Sequence, residues 1–275
     1  MKLPNIRLLF GSGVLLVLLV LAIFGPWIAP HDPMAQSLLD QLLPPFWSAQ
    51  NDPNHWLGTD NLGRDLLSRL IHGARPALVV MLIGATLSGL VGVVLGLIAG
   101  YYGGWFDTII SRIIEIFMSF PPMLLAIVLA AVIGPGLSTV VLAIILIGWT
   151  RFCRVIRAEV MAMRELEFVA SARTLGMRNL RIIGKEILPN LLPMLVVLFS
   201  LEMGRAVVVE ALLSFIGFSS TDIATWGSII ADGRNYINQG WFAVFLPIVA
   251  IIVTVLGLNA FGDGLRQSID PVMQR

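Results

Sequence analysis

The chain has 275 residues, of which 57% are hydrophobic and 13% are charged, whereas about 25% of residues are charged in a soluble domain. This composition excludes a soluble globular protein and indicates an integral membrane protein. A net charge of +1 argues against nucleic-acid binding, which requires clustered basic residues on a soluble surface. The single cysteine, Cys153, excludes an internal disulfide and a metal site built from several cysteines.

The first predicted element is an uncharged stretch over residues 8–28, long enough to cross about 30 Å of hydrocarbon. It is long for the apolar part of a signal peptide, and its end, residues 25–30, offers no small-residue cleavage site. We therefore predict a retained first transmembrane helix.

A long connection over residues 31–75 follows, and prolines interrupt its first half. Asp60 with Arg64, and Asp65 with Arg69, stand at the i to i+4 spacing of helical ion pairs. The spacing predicts an interfacial helix that forms a solvated, amphipathic elbow before the second span. The alternative role for this helix is direct contact with a substrate.

The three histidines of the chain all lie in this connection, at His31, His55 and His72. Their separations of 24 and 17 residues match no usual ligand spacing. The pattern predicts no metal site.

The second span is predicted over residues 77–99, and small residues recur at every fourth position along it. In lipid such a ridge lets another helix approach closely, so we interpret it as a packing face. The ridge comprises Gly84, Ser88, Gly92, Gly96 and Gly100.

The third span, residues 109–133, contains Phe120, Pro121 and Pro122. Two prolines break a helix, and within a membrane the freed carbonyls must be covered by protein or face a water-filled cavity. Phe120 and Pro121 are therefore candidates for the lining of a translocation path. A fourth span begins at residue 137, and Arg151, Arg154 and Arg157 at its end are predicted to extend toward the lipid headgroups. The helix is predicted to continue into this basic end.

A polar segment of the chain, residues 165–190, separates two long apolar stretches. Acidic residues at its start and Arg173 further on predict a first helix, which Gly176 ends. Asn179 is predicted to cap a second helix, which carries Leu180, Ile183 and Ile187 on one face and closes before Pro189. Helix, glycine break and helix form a flat surface around Ala170, Ser171 and Ala172, suited to docking a partner.

The fifth span, residues 191–216, carries Glu202, Arg205 and Glu210, although a charge at mid-membrane costs at least about 2.5 to 3.5 kcal/mol. Glu202 and Arg205, three residues apart, share one face and are predicted to pair near the middle of the bilayer. The pair either holds the helices together or faces a cavity and contacts a zwitterionic solute. Glu210 is predicted near the outer interface, with an architectural role favoured. The sixth span covers residues 241–261.

Six spans place both termini on the same side. That side then carries twelve lysines and arginines, whereas the opposite side carries four, namely Arg64, Arg69, Arg75 and Arg234. By the positive-inside rule both termini and the polar segment are cytoplasmic.

No phosphate-binding loop and no catalytic motif occurs in the sequence. The chain is therefore not expected to hydrolyse ATP or to be an enzyme, and we assign it no catalytic residue. An ATP-driven role would need a motor on another chain.

Four motifs resemble the membrane subunits of bacterial ABC importers of the dipeptide, oligopeptide and nickel group. The cytoplasmic signature of that family corresponds to Ala170-Ser171-Ala172, Gly176 and Leu188-Pro189, with Ala170 in place of the family's glutamate. The other three are LGTDNLGRDLLSRLIHGAR (57–75), EALLSFIGF (210–218) and FGDGLRQSIDP (261–271). Their order along the whole chain strengthens the resemblance.

The resemblance implies an all-α, polytopic membrane protein with six transmembrane helices and a cytoplasmic coupling helix. Residues 1–75 would form an N-terminal helix and extracytoplasmic loop, and residues 76–275 an ABC transporter type I transmembrane domain. Coupling to the motor would fall to Ala170, Ser171, Ala172, Arg173, Gly176, Leu188 and Pro189. Candidates for the translocation path are Glu202, Arg205, Glu210, Phe120 and Pro121.

The implied partners are a homologous second permease, two ABC ATPase subunits, an extracytoplasmic solute-binding protein and the lipid bilayer, with no nucleic acid. No cofactor is expected in this chain, because ATP and Mg²⁺ would bind to the ATPase subunits. The implied function is import of di- or oligopeptides, with nickel or a metal chelate as the alternative solute. A secondary transporter or an intramembrane enzyme is the alternative from another class; the former usually carries midplane charges in both halves.

Overall fold

The computed structural model describes residues 6–218 and 222–269. Lys2, Arg275 and the last two residues of the 261–271 motif lie outside this part of the chain. Nine helices longer than three residues run through the described residues: α1 Ile6–Ile28, α2 Leu66–Tyr102, α3 Gly104–Ser119, α4 Pro122–Ile133, α5 Leu137–Met163, α6 Glu167–Thr174, α7 Asn179–Ile216, α8 Trp226–Gly233 and α9 Trp241–Ile269. Two short 3-10 turns lie at Leu38–Asp40 and Arg234–Tyr236. The all-α prediction is confirmed.

Five of these helices, α1, α2, α5, α7 and α9, are long and apolar enough to cross a membrane. A sixth span arises if α3 and α4 are counted together, although their axes are bent by 84°. The six predicted spans therefore correspond to five continuous helices and one broken pair. α2 and α7 each contain one wider π turn, at Val80–Gly84 and Ile183–Ile187.

The predicted break in the third span is confirmed at Phe120 and Pro121. Phe120 is extended, with φ −89° and ψ 134°, because a residue before proline is disfavoured in the helical region. Pro121 is also non-helical, and Pro122 then opens α4 at a position where a missing N–H costs nothing. The chain therefore changes direction at these three residues.

The small-residue ridge of the second span packs against α5, as the prediction of a packing face requires. A Cβ atom added to Gly92 would lie 2.5 Å from the Trp149 carbonyl oxygen, and one on Gly96 would lie 2.9 Å from that of Cys153. Only glycine permits this approach. The hydroxyl of Ser88 adds a 3.2 Å hydrogen bond to the Ile144 carbonyl of α5.

α1 packs along α9 in the same way. A Cβ on Gly11 would lie 2.4 Å from the Phe261 backbone nitrogen, and one on Gly264 would lie 2.7 Å from the backbone nitrogen of Leu8. A Cβ on Gly257 would likewise lie 2.5 Å from the Val14 side chain, so the two helices are in close contact over the first half of α1.

The predicted solvated elbow in the connection is wrong. Asp60 and Arg64 do pair, at 2.7 Å, but in a turn: Asp60 accepts hydrogen bonds from the backbone N–H groups of Leu62 and Arg64. α2 begins only at Leu66, with Asp65 as its N-cap. Residues 60–65 thus form a compact turn, where the sequence predicted an exposed helix with ion pairs along its surface.

Asp60, Arg64 and Arg69 of this region are buried, because opposite charges neutralise one another. Asp60 is fully buried and Arg69 is 2% exposed. Arg69 pairs with Asp60 and, at 2.9 Å, with Asp232 of α8, to which Arg64 also donates at 2.6 Å. We call Asp60, Arg64, Arg69 and Asp232 the ion cluster; it joins the connection to α8.

Candidate functional site

The polar segment has the predicted helix, glycine break and helix. α6 carries Glu167 in its first turn and Arg173 in its last. Gly176 has a φ of +74°, and beyond it the Met177 N–H donates to the Ala172 carbonyl at 3.1 Å. This is the Schellman arrangement, which favours glycine at the left-handed position.

Three details of the second helix differ from prediction. Asn179 caps nothing; its Oδ1 accepts a hydrogen bond from the Tyr101 hydroxyl at 3.1 Å. Leu180 is 78% exposed, whereas Ile182 and Ile187 are fully buried, because the π turn places residues five apart on one face. The helix also continues through Pro189, since the π turn just before it alters the local hydrogen bonding that a proline would disrupt.

The inner side of the polar segment is anchored to the membrane helices. Val169 and Ala172 are buried in a cluster with Ile156 and Val160 of α5 and with Ile182. The guanidinium of Arg173 lies over the ring of Tyr101, 5.2 Å from its centroid. Because Tyr101 also bonds to Asn179, the last turn of α2 contacts both helices of the segment.

The outer side of the polar segment is exposed and partly apolar. Ala170, Ser171, Arg173 and Gly176 are exposed, Pro189 is exposed and Leu188 is partly buried. Four large side chains are exposed around them: Leu166, Phe168, Leu175 and Leu180. We call these four the apolar rim. Exposed apolar side chains beside small residues are typical of an interaction surface.

The second group of predicted residues centres on Glu202. Its side chain is 5% exposed and lies between two guanidinium groups. Arg151 of α5 approaches Oε1 at 3.3 Å, and Arg205 approaches Oε2 at 3.5 Å. The predicted pairing of Glu202 with Arg205 is confirmed.

The second guanidinium was missed. The predicted continuation of the fourth helix into its basic end is confirmed, because α5 extends to Met163. The direction of Arg151 differs from prediction, because its side chain turns toward Glu202 of α7. The predicted extension of Arg151 to the headgroups is therefore wrong. The signal available was a glutamate in one span and an arginine at the end of another.

The arginines of this group are partly exposed, with side-chain exposures of 35% for Arg151 and 53% for Arg205. Glu202 lies 14 residues before the end of α7 at Ile216, or about 21 Å along the helix. A guanidinium at such depth is not stable against hydrocarbon. We therefore expect this side of α5 and α7 to face protein or water.

Gly148 makes room for Glu202. A Cβ atom there would lie 2.8 Å from Oε1 of Glu202 and 2.6 Å from the Ser88 hydroxyl. The glycine thus lets α2, α5 and α7 meet at the carboxylate.

The remaining predicted residues lie in two places. Glu210 is 1% exposed and accepts a 2.6 Å hydrogen bond from the Ser214 hydroxyl. Phe120 is 57% exposed and lines a small cavity together with Arg151, whereas Pro121 is exposed at the bend beside it. The structure thus joins Phe120 to the Glu202 group and places Glu210 in a separate contact.

Comparison with known proteins identifies the family. Residues 92–275 match the model of the binding-protein-dependent transport system inner membrane component. Residues 5–45 match the N-terminal TM domain of oligopeptide transport permease C.

Two relatives extend over nearly the whole chain. The Dipeptide transport system permease protein DppC of Bacillus subtilis is 38% identical over 96% of this chain and 82% of its own length. The Probable D,D-dipeptide transport system permease protein DdpC of Escherichia coli is 39% identical over 94% and 86%. Membership in a permease family sets aside the secondary transporter and the intramembrane enzyme.

A solved structure supports the fold. The MetNI methionine ABC transporter in inward-facing conformations contains a chain that superposes with a TM-score of 0.63, at 18% identity, over 74% of this chain and 98% of its own. The chain described here belongs to the family of binding-protein-dependent transport system inner membrane components and is a multi-pass permease subunit of an ABC transporter.

Proposed function

We propose that this permease imports di- or oligopeptides and that Glu202, with its two arginines, contacts the peptide in the passage. The observation that carries the proposal is the position of Arg151 and Arg205, which are partly exposed beside a buried carboxylate. The names of the relatives, which are dipeptide permeases, support the same solute class.

The chemistry of the group suits a zwitterion. Two guanidinium groups face one carboxylate, so one positive charge is in excess. A peptide carries a terminal carboxylate, which arginine binds through paired, charge-assisted hydrogen bonds. Its ammonium group can in turn be attracted to Glu202. A neutral solute would gain nothing from this arrangement.

The polar segment is the proposed docking surface for two ABC ATPase subunits, which would bind ATP and Mg²⁺. Its apolar rim supplies side chains for burial in an interface, while its inner side is anchored to α2, α5 and α7. Motor closure would displace residues 169–187 as one body and rock the helices between outward-facing and inward-facing states.

The remaining partners follow from the exposed surfaces. A homologous second permease would cover the bend at Phe120 and the side of α5 and α7 that bears the two arginines. With both termini cytoplasmic, residues 29–65 face outward, where a solute-binding protein would deliver the peptide.

The test is uptake of a radiolabelled dipeptide by cells whose only copy of this permease is a variant. Arg205→Gln and Arg151→Gln are each expected to lower uptake at least about tenfold, the effect of losing about 1.4 kcal/mol of binding. Arg266→Gln, an exposed arginine of α9, is the matched control and should transport normally. Normal uptake by both variants would show that Glu202 and its two arginines do not contact the peptide. Uptake of nickel instead of peptide would contradict the proposed solute class.

A purely structural salt bridge is distinguished by a double-mutant cycle. If Glu202 only holds the helices together, Glu202→Gln and Arg205→Gln will each lower the amount of assembled complex. The double variant will recover it once Arg151, the other partner of Glu202, is also changed to Gln in every variant of the cycle. If Glu202 contacts the peptide, all three variants will assemble and the double variant will still fail to transport.

A further inference from the structure

We propose that His31, His55 and Asp65 form a binding site for a divalent transition-metal ion such as Zn²⁺. The prediction of no metal site rested on spacing along the chain, but the fold brings two of the three histidines together. One ligand atom from each of the three residues lies within 4.8 Å of the others. This inference does not depend on the solute that the permease transports.

The distances fit a site that needs only a small contraction. His55 Nδ1 lies 3.0 Å from Asp65 Oδ1, and His31 Nδ1 lies 3.8 Å from Asp65 Oδ2. The imidazole rings are 4.8 Å apart and tilted by 32°. Ligand atoms around tetrahedral zinc are about 3.3 Å apart, given bonds of about 2.0 Å, so the widest pair must close by about 1.5 Å.

Burial differs among the three residues in a way that permits this closure. The Asp65 side chain is 1% exposed, and that of His55 is 13% exposed. Asp65 is also fixed by hydrogen bonds to its Oδ2 from the Ser68 N–H at 2.8 Å and the Ser68 hydroxyl at 2.7 Å. The His31 side chain is 39% exposed and can move toward the other two and admit the ion.

The donor set selects the type of ion. Two imidazoles and one carboxylate suit zinc and neighbouring transition metals and leave a position open for water or another ligand. Mg²⁺ and Ca²⁺ prefer oxygen ligands alone. Among the described residues, the ion-pair partners of Asp65 are the two histidines, so no arginine or lysine occupies the place of the ion.

A bound ion would join three separate parts of the chain. His31 follows the end of α1, His55 lies in the middle of the connection, and Asp65 caps the start of α2. The expected consequence is a more rigid connection, with slower backbone hydrogen exchange over residues 54–65 when Zn²⁺ is bound.

The third histidine provides a matched control. His72 Nδ1 faces the Ser68 carbonyl oxygen at 2.9 Å and is not part of the three-residue group. His72→Ala therefore removes an imidazole from the same region without removing a proposed ligand.

The experiment is a titration of the purified full-length permease, in its complex and in lipid nanodiscs, with Zn²⁺ by calorimetry and with Co²⁺ by visible absorption. We expect micromolar or tighter binding of one ion per permease chain, a tetrahedral Co²⁺ spectrum and no displacement of this Co²⁺ by Mg²⁺ at the same concentration. His31→Ala should weaken binding at least about tenfold, and His72→Ala should not change it. His31→Gln is the second variant should His31→Ala reduce the yield.

Three results would overturn the site. In the first, the wild-type protein binds neither Zn²⁺ nor Co²⁺ below millimolar concentration. In the second, the His31→Ala variant binds the ion as tightly as the wild type does. In the third, the His72→Ala variant loses as much affinity as the His31→Ala variant. In the first case the cluster is only a hydrogen bond between His55 and Asp65 that orders the connection. Hydrogen exchange over residues 54–65 would then be the same with and without Zn²⁺.

Discussion

Arg151 Nη1 lies 3.3 Å from Glu202 Oε1, and this contact joins α5 to α7. It is made possible by Gly148, one helical turn before Arg151, where a side chain would collide with the carboxylate. The contact thus depends on three positions that lie on two helices.

Gly148→Ala should therefore displace Glu202 and weaken its contact with Arg151. The added methyl group would lie 2.8 Å from Oε1 of Glu202, which is too close for van der Waals contact. We expect a strong loss of peptide uptake in cells. Gly204→Ala is the control, because its methyl group would meet Val255 at 3.4 Å, an ordinary contact. Equal transport by both variants would contradict the proposed role of this contact.

Gly176→Ala should lower coupling without blocking insertion. The backbone has a φ of +74° and an added Cβ meets no atom within 4 Å, so the whole cost is the backbone strain of about 1 to 2 kcal/mol. Gly184→Ala is the matched control, because that site is equally open but helical. ATPase activity stimulated by peptide, measured in proteoliposomes, should fall only for Gly176→Ala. If Gly176→Ala leaves the peptide-stimulated ATPase activity unchanged, the helix break at Gly176 has no role in coupling.

Asp60→Ala should destabilise the protein by about 3 to 5 kcal/mol, because Arg64 and Arg69 would remain buried with fewer partners. Thermal unfolding in detergent measures the effect. The control is Glu115→Ala, which removes the exposed pair with Arg112 and should cost less than about 1 kcal/mol. Equal unfolding temperatures would show that the ion cluster does not stabilise the fold.

The orientation is testable with cysteines placed on opposite faces. The native Cys153 is fully buried and cannot report on either side. In a Cys153→Ala background, Leu39→Cys should react with a membrane-impermeant thiol reagent added to intact spheroplasts, since Leu39 is 96% exposed on the connection. Leu175→Cys, at a position that is 82% exposed on the polar segment, should react only after lysis. The reverse pattern would invert the topology.

Much of the fold was predictable because only a few backbone structures can span a bilayer. Long uncharged stretches must form helices there, and the breaks at Pro121 and Gly176 follow from backbone chemistry within a few residues. The glycine ridge of α2 also indicated close packing, although its partner α5 was not specified by the pattern.

What could not be predicted depends on contacts distant in sequence. The i to i+4 spacing of Asp60 and Arg64 is the same in a solvated helix and in a buried turn, and Asp232, which decides between them, is 168 residues from Arg64. The approach of His31 to His55 could not be predicted for the same reason. Their separation along the chain does not give their distance in space once the connection between them is folded.

Contacts at the two ends of α2 connect the polar segment to the ion cluster through this one helix. Its 37 residues span about 55 Å at 1.5 Å per residue. Tyr101 at one end is tied to Arg173 and Asn179, and Arg69 at the other end is tied to Asp232. We expect a displacement of the polar segment to reach the ion cluster through α2, with the π turn at Val80–Gly84 as the irregular point along its length.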